Sequence, residues 1–269
     1  MIVMSYGGGG TNSVALLIGL LEIGLIPDLI TFADTGCERP HTYAYLPVIN
    51  NWLLANGGPP ITVCKKVFRQ GKTKADWVYE EKDLYTYYRE RNMLPAVAYG
   101  FKNCSQKFKI EPQEKEWNNH PLCKAAWARG EKIIMLVGYD FDEEQRVLNA
   151  RRSLANDAVL SKKFQYEYPL YDWGWDRGAC IDAIQRTGLP RPGKSACWCC
   201  PYTKKPELLR LQQDHPELVE KALAMEQSAD LKQIKGLGRR WNWGEFLDNS
   251  NSCGIDDIDH DMPCGCYDG

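Results

Sequence analysis

The chain shows no basic-then-apolar leader: it enters Ile2-Val3-Met4 at once. The apolar stretch from Val14 to Ile26 is broken by Glu22 and is too short to span a bilayer. The expectation is therefore a protein with no membrane partner, in a reducing, cytoplasmic compartment. Neither sign of charge dominates, since 33 basic face 35 acidic side chains for a formal net charge of −2. That balance does not suggest an obligate nucleic-acid coat or a membrane-surface binder, and it leaves room for local basic patches. Internal repeats and low-complexity tracts are absent as well, and 44% apolar with 25% charged residues excludes a disordered or fibrous chain.

What the chain has in excess is cysteine, with 11 in 269 residues. In a reducing compartment clustered cysteines such as Cys197, Cys199 and Cys200 are more often metal ligands or nucleophiles than disulfides. The length fits one domain, or one with a small appendage.

The opening reads as a strand over Ile2-Val3-Met4, a glycine-rich turn from Gly7 to Gly10, a helix from Asn12 to Ile23 and a strand from Asp28 to Ala33. Asn12 and Ser13 are the expected side-chain caps of that helix, and Gly24 to Pro27 its stop. Strand, helix, strand at this spacing is a βαβ unit, so the fold class is α/β with a mostly parallel, Rossmann-like sheet flanked by helices. Further elements are expected as a helix from Pro40 to Ala55, strands at Ile61 to Val67 and Ile133 to Val137, and helices through Ala179 to Thr187 and from about Pro206 to Gln227. The segment from Tyr79 to Arg91 reads as a helical lid or packing insert. Pro190 to Gly193 is the best boundary, dividing a nucleotide-binding domain over 1–190 from a small cysteine-rich helical region over 191–269 that packs back on it.

Ser5-Tyr6-Gly7-Gly8-Gly9-Gly10-Thr11-Asn12-Ser13 joins a strand to a helix. Glycines there let backbone N–H groups approach an anion, and the helix N-terminus adds partial positive charge. No Lys-Ser/Thr follows them and the dinucleotide spacing is absent, so the two commonest glycine-rich signatures do not apply. Asp34-Thr35-Gly36-Cys37 ends the second strand beside this turn.

Together these segments resemble the PP-loop ATP pyrophosphatases (adenine nucleotide alpha hydrolase-like), and within them the phosphoadenosine-phosphosulfate (PAPS) reductase-like family of phage and bacterial type. That family's loop has the form Ser-Gly-Gly-x-Asp-Ser, and its second strand ends in Asp-Thr-Gly before a helix start like Pro40-His41-Thr42. Asn12 stands where the loop aspartate is expected, and Gly8 where its leading serine is, with Ser5 upstream. An amide repels pyrophosphate less than a carboxylate does and is a poorer magnesium ligand. Gly138 through Asp142, Glu143 and Arg146 resembles the family's third-strand segment that closes over the nucleotide. The resemblance implies ATP and Mg2+ held by Ser5, Gly7, Gly8, Gly9, Gly10, Asn12, Ser13, Asp34, Thr35, Gly36, Gly138, Asp142, Glu143 and Arg146. Asn12 and Ser13 then lie at the reacting phosphates.

The same resemblance extends to the cysteines. Cys104 stands before a basic-apolar-Glu-Pro stretch, and Cys197-Trp198-Cys199-Cys200-Pro201 resembles a later Cys-x-x-Cys-Pro element. Four thiolates from Cys104, Cys197, Cys200 and a tail cysteine, Cys264 ahead of Cys266, would suit a 4Fe-4S cluster or a structural Zn2+. Cys64, Cys123 and Cys180 read as core residues, Cys199 is left without a role, and Cys37 could line the nucleotide pocket.

These features imply an ATP-binding enzyme that adenylates its substrate with release of pyrophosphate, in an iron–sulfur-dependent, sulfurtransferase-like reaction on a nucleic acid or nucleotide. A sulfonucleotide reductase using Cys253 is one alternative, and a non-catalytic nucleotide binder with structural zinc is another. tRNA or DNA could be reached through basic patches at Lys65, Lys66, Arg69, Lys72 and Lys74, at Lys102, Lys107 and Lys109, or at Lys235, Arg239 and Arg240 beside Trp241 and Trp243. A sulfur-donor protein is a further expected partner. Any nucleic-acid binding should be weak and salt-sensitive.

Overall fold

The computed structural model describes residues 1–95, 97–98, 101–231 and 234–249. The chain opens with β1 (Ile2–Tyr6), α1 (Thr11–Glu22), β2 (Leu29–Asp34), α2 (Pro40–Ala55) and β3 (Ile61–Lys65). A hairpin of β4 (Val67–Gln70) and β5 (Val78–Glu81) follows, then α3 (Leu84–Arg89) and a small pair, β6 (Val97–Ala98) and β7 (Phe101–Lys102). One turn of helix, α4 (Asn103–Ser105), runs through a π-helical stretch at Gln106–Ile110 into α5 (Glu111–Asn119), followed by α6 (Pro121–Ala128) and β8 (Ile133–Leu136). Then come α7 (Glu144–Asn156), α8 (Leu160–Lys163), β9 (Phe164–Glu167), α9 (Pro169–Asp172) and α10 (Arg177–Arg186), and finally α11 (Lys205–Asp214), α12 (Pro216–Ser228) and α13 (Trp243–Asn249).

The main sheet has the order β3-β2-β1-β8-β9, and every neighbouring pair is parallel. The fold is α/β, as the alternation of apolar strands and helices requires. A parallel sheet must be covered on both faces, and the strands read accordingly: β2 is buried over its first five residues. Met4 and Tyr6 point into the core under α1 and α10, while Val3 points into a second one with Trp117, Cys123 and Ala126. Gly19 in α1 lets Trp173 and Trp175 approach the helix, since a Cβ there would meet the ring of Trp175 at 3.1 Å and clash with Trp173.

The chain lays β2 and β3 on one side of β1 and then returns to place β8 and β9 on the other. The sheet order therefore reverses between β1 and β8, and in an open α/β sheet the crevice beyond the strand ends at such a reversal is where ligands bind.

A third core lies outside the sheet. It joins Leu84, Tyr88, Leu94 and Phe108 to Cys37, Cys197, Trp198, Cys199 and Cys200 and to Leu208, Leu211, Met225 and Trp243. An antiparallel bridge between Glu38 and Cys197 pins the cysteine segment to the loop after β2, with Arg39 N–H donating to Ala196 O at 3.0 Å and Trp198 N–H to Cys37 O at 2.8 Å.

Four sequence expectations differ from the structure. The third strand stops at Lys65, and the chain then turns into the β4–β5 hairpin, so the segment from Tyr79 begins as a strand and is helical only over α3. The single helix expected over 206–227 is two, because Pro216 excludes helical geometry at His215, which sits at φ −145 and ψ 62. Asn12 and Ser13 do not cap α1: Gly10 is its N-cap and no side chain bonds the free amides. Ser13 Oγ instead accepts from Gly7 N–H at 3.0 Å, closing the glycine loop on itself.

Candidate functional site

The crevice at the sheet reversal holds a cavity of about 390 Å³, within the size range of small-molecule sites. Its wall includes Ser5, Gly7, Gly10, Thr11, Asn12 and Ser13 from the glycine loop and Gly138, Glu143 and Arg146 from the segment after β8. All but Thr11 are residues the sequence singled out, eight in number, drawn from two strand ends that the topology makes neighbours. Lys109, Gln113, Trp117, Tyr166, Tyr168, Arg177, Lys194 and Ser195 complete much of the rest.

The loop is shaped for close approach. Gly8 and Gly9 have φ of +84 and +93, which L side chains rarely adopt. A Cβ on Gly8 would lie 2.7 Å from the Phe32 ring and 2.8 Å from Ser195 Oγ, so the cradle closes to anything but glycine. The first turn of α1 carries no acidic residue, so its free N–H groups and the helix dipole favour an anion at this end of the cavity.

Asn12 sits at the centre of a polar network. Its Nδ2 donates to Asp140 Oδ2 at 3.0 Å and to Glu143 Oε2 at 3.0 Å, and its Oδ1 accepts from Arg177 Nη1 at 3.1 Å. Glu143 also pairs with Arg146, whose guanidinium lies 4.3 Å from the Tyr139 ring centroid. Burial, and then the neighbouring Glu143, push Asp140 up to about 6. The amide at position 12 has a physical reason here: an aspartate would be a third carboxylate beside these two. Gly138 passes so close that a Cβ would lie 3.3 Å from the Asn12 carbonyl oxygen.

Ser5 is held in the wall by its hydroxyl, which donates to Gln113 Oε1 at 2.9 Å; Thr31 donates to the same oxygen at 2.8 Å. Gly8, Gly9, Asp34, Thr35, Gly36 and Asp142 are not part of the cavity wall. Asp34 Oδ1 accepts from Gly36 N–H at 2.8 Å and Tyr43 OH at 2.7 Å, which shapes the turn after β2. Thr35 Oγ1 donates to Glu38 Oε1 at 3.2 Å and lies 3.3 Å from Cys197 Sγ. Asp142 Oδ2 accepts from Arg177 N–H at 3.3 Å.

The thiols gather on the other side of that turn. Cys197 contacts Thr35 and lies 3.6 Å from Glu38 Oε1, and Glu38 pairs at 3.2 Å with Lys109, both side chains being buried. Cys104 and Cys200 lie within electrostatic reach of each other and of Lys109. Burial raises all three thiols, Cys200 to about 11. Cys37 does not line the cavity: it faces the third core, accepts from Tyr85 N–H at 3.2 Å, and its hydrogen bond with Cys199, with burial after it, pushes Cys199 well up. Cys64, Cys123 and Cys180 are buried. Cys253, Cys264 and Cys266 lie outside the described residues. Among the described residues no three His, Cys, Asp or Glu side chains group into a metal-holding set, so neither the Cys104, Cys197 and Cys200 thiols nor the Asp140 and Glu143 carboxylates complete a metal site by themselves.

The basic patches divide. Lys66 pairs with Glu111 and Lys109 with Glu38, whereas Lys72 and Lys74 are exposed at the hairpin tip and Arg69 stacks 4.1 Å from the Trp77 ring centroid. Trp243 is core, not surface. No helix among the described residues is long and apolar enough to cross a membrane.

Gln113, Arg177 and Ser195 are site residues that the sequence does not single out, and Lys109 is read there only as part of a basic patch. Ser195 lies two residues ahead of the Cys197 motif, and that position is the available signal for it.

No family model matches the chain, and no curated protein does. Among solved structures the chain is similar to "U34-tRNA thiolase NcsA from Methanococcus maripaludis with its 4Fe-4S cluster", at 13% identity over 96% of this chain and 83% of that one, with a TM-score of 0.40. Likeness at that level transfers neither the substrate nor the cluster.

Proposed function

We propose that the chain is an ATP-binding enzyme of the PP-loop type that adenylates a nucleic acid or nucleotide substrate with release of pyrophosphate, as the activating step of a sulfur transfer. The observation that carries this reading is the glycine cradle with its uncapped helix N-terminus, opening into a cavity at the sheet reversal.

Bound there, ATP would supply an electrophilic α-phosphorus and a pyrophosphate leaving group. The chain's own parts then divide the work. The Gly10 N–H and the free N–H groups of the first turn of α1 hold phosphate oxygens, and being fixed in advance they need no reorganisation as charge develops. Asn12, braced by Asp140, Glu143 and Arg177, keeps the loop in register with the segment after β8. Trp117, Tyr166 and Tyr168, with Met135 and Leu154, give the cavity the apolar wall that a base requires.

The thiols belong to the same frame. The Glu38–Cys197 bridge places Cys197 at the end of the strand next to the one that feeds the loop. In this reading Cys104, Cys197 and Cys200 with Cys264 hold a 4Fe-4S cluster, Mg2+ accompanies the nucleotide, and exposed Lys72 and Lys74 with the Arg69–Trp77 stack meet the nucleic acid. The test is pyrophosphate release from ATP by anaerobically purified, metal-replete protein over candidate RNA and DNA substrates. Substrate-dependent release is expected; no release over any of them would remove the enzymatic reading.

A further inference from the structure

We infer that Ser195, from the segment just ahead of the cysteine motif, is a phosphate ligand of the glycine loop. The inference rests on the nucleotide-binding reading above and adds to it a ligand from the other end of the chain.

Ser195 lines the same cavity as Gly7, Gly10 and Thr11. It is 8% exposed, and its hydroxyl is buried without a hydrogen-bond partner among the described residues. Buried hydroxyls are ordinarily satisfied, so an orphaned one at a cavity wall calls for a ligand. Its place against the loop is close: the Oγ lies 2.8 Å from where a Cβ on Gly8 would stand, so Ser195 packs directly on the glycine backbone. Thr11, at the start of α1, has a buried hydroxyl in the same condition. Two unpaired O–H donors flanking a glycine cradle and a helix N-terminus suit an oxyanion with several acceptor oxygens.

The segment that carries Ser195 is fixed on both sides. His41 Nε2 lies 2.8 Å from Lys194 O, Lys194 Nζ pairs with Glu207 at 2.6 Å, and Arg39 N–H holds Ala196 O at 3.0 Å. A hydroxyl held this way needs little ordering when a phosphate arrives. It is also neutral, so it adds a donor without disturbing the charge balance of Asp140, Glu143, Arg146 and Arg177.

The experiment is equilibrium binding of ATP, inorganic pyrophosphate and adenosine to the full chain and to Ser195→Ala and Ser195→Gly, with unfolding midpoints recorded for each. Both variants should bind ATP and pyrophosphate roughly tenfold or more weakly, the usual effect of deleting a hydrogen bond to a charged group, and adenosine as the parent does. Unchanged ATP and pyrophosphate affinity in either folded variant would overturn the inference. So would a parallel loss of adenosine binding, which would mean that Ser195 only shapes the cavity. A parent chain that binds neither ATP nor pyrophosphate would instead overturn the nucleotide-binding reading, and this inference with it.

Discussion

The side-chain amide of Asn12 donates to Asp140 at 3.0 Å, joining the glycine loop after the first strand to the segment after the strand beside it in the sheet. The same nitrogen serves Glu143, so one neutral donor stands between two carboxylates.

Replacing that amide by a carboxylate should be costly. Asn12→Asp deletes both donated bonds and places a third acid against the pair, and is expected to lower unfolding free energy by about 2–3 kcal/mol at pH 7.5 in urea titrations. The loss should shrink at pH 5, where Asp140 takes up a proton.

Asp140 itself gives stability a sign with pH. It is held up to about 6 by burial and then by Glu143, against an ordinary 3.8. Between those values the unfolded chain has released this proton while the folded chain keeps it, so the unfolded state binds fewer protons and stability falls as pH rises through the window. Asp140→Asn should flatten that fall, read as unfolding free energy at half-unit steps from pH 4 to 6.5.

The glycine loop should respond by position. Gly8→Ala meets Phe32 and Ser195 in a left-handed backbone and is expected to cost about 2–4 kcal/mol. Gly10→Ala meets nothing within 4 Å and has a φ of −71, so less than about 1 kcal/mol is expected. Chemical denaturation of the two variants side by side checks the contrast.

The Glu38–Lys109 pair is buried on both sides. Lys109→Met would leave Glu38 as an uncompensated buried charge, and a loss of about 3–5 kcal/mol is expected from urea midpoints. Adding Glu38→Gln should recover part of it, because the stranded charge goes with the second change.

Burial pushes Cys64 and Cys180 up to about 12 and Cys123 up to about 11. The thiolate is the reactive form, so at pH 8 these three should resist an alkylating reagent in the native protein and react fully in denaturant. Peptide mapping of the labelled sites reads this directly.

The opening βαβ unit was legible because Ile2 to Met4 and Leu29 to Ala33 are short apolar runs that only a covered parallel strand would use, with glycines and a helix between them. The hairpin was not, since Val67-Phe68-Arg69-Gln70 and Val78-Tyr79-Glu80-Glu81 mix apolar and charged residues and pack against an insert, not against the sheet. Pro216 did signal the helix break, but the apolar spacing on either side reads straight through it. In the site, Gly7 was readable from the glycine-rich turn, and Gly138 and Glu143 from the family resemblance. Gln113, Arg177 and Ser195 were not, because their roles arise only when segments more than a hundred residues apart meet. Asp34 and Thr35 were readable as a motif, yet their side chains are spent on the turn that receives the cysteine segment.

That turn has a consequence for how the molecule comes to exist. The bridge from Glu38 to Cys197 closes a loop of more than half the chain, and such non-local contacts form late because the entropy of closing the loop must be met before they stabilise anything. During synthesis the first five elements can assemble early, but the wall that Ser195 completes must wait until residues near 198 have left the ribosome. The cavity is therefore among the last parts of the protein to mature, and a stalled chain ending before Ser195 would hold a glycine loop with one side of its cradle missing.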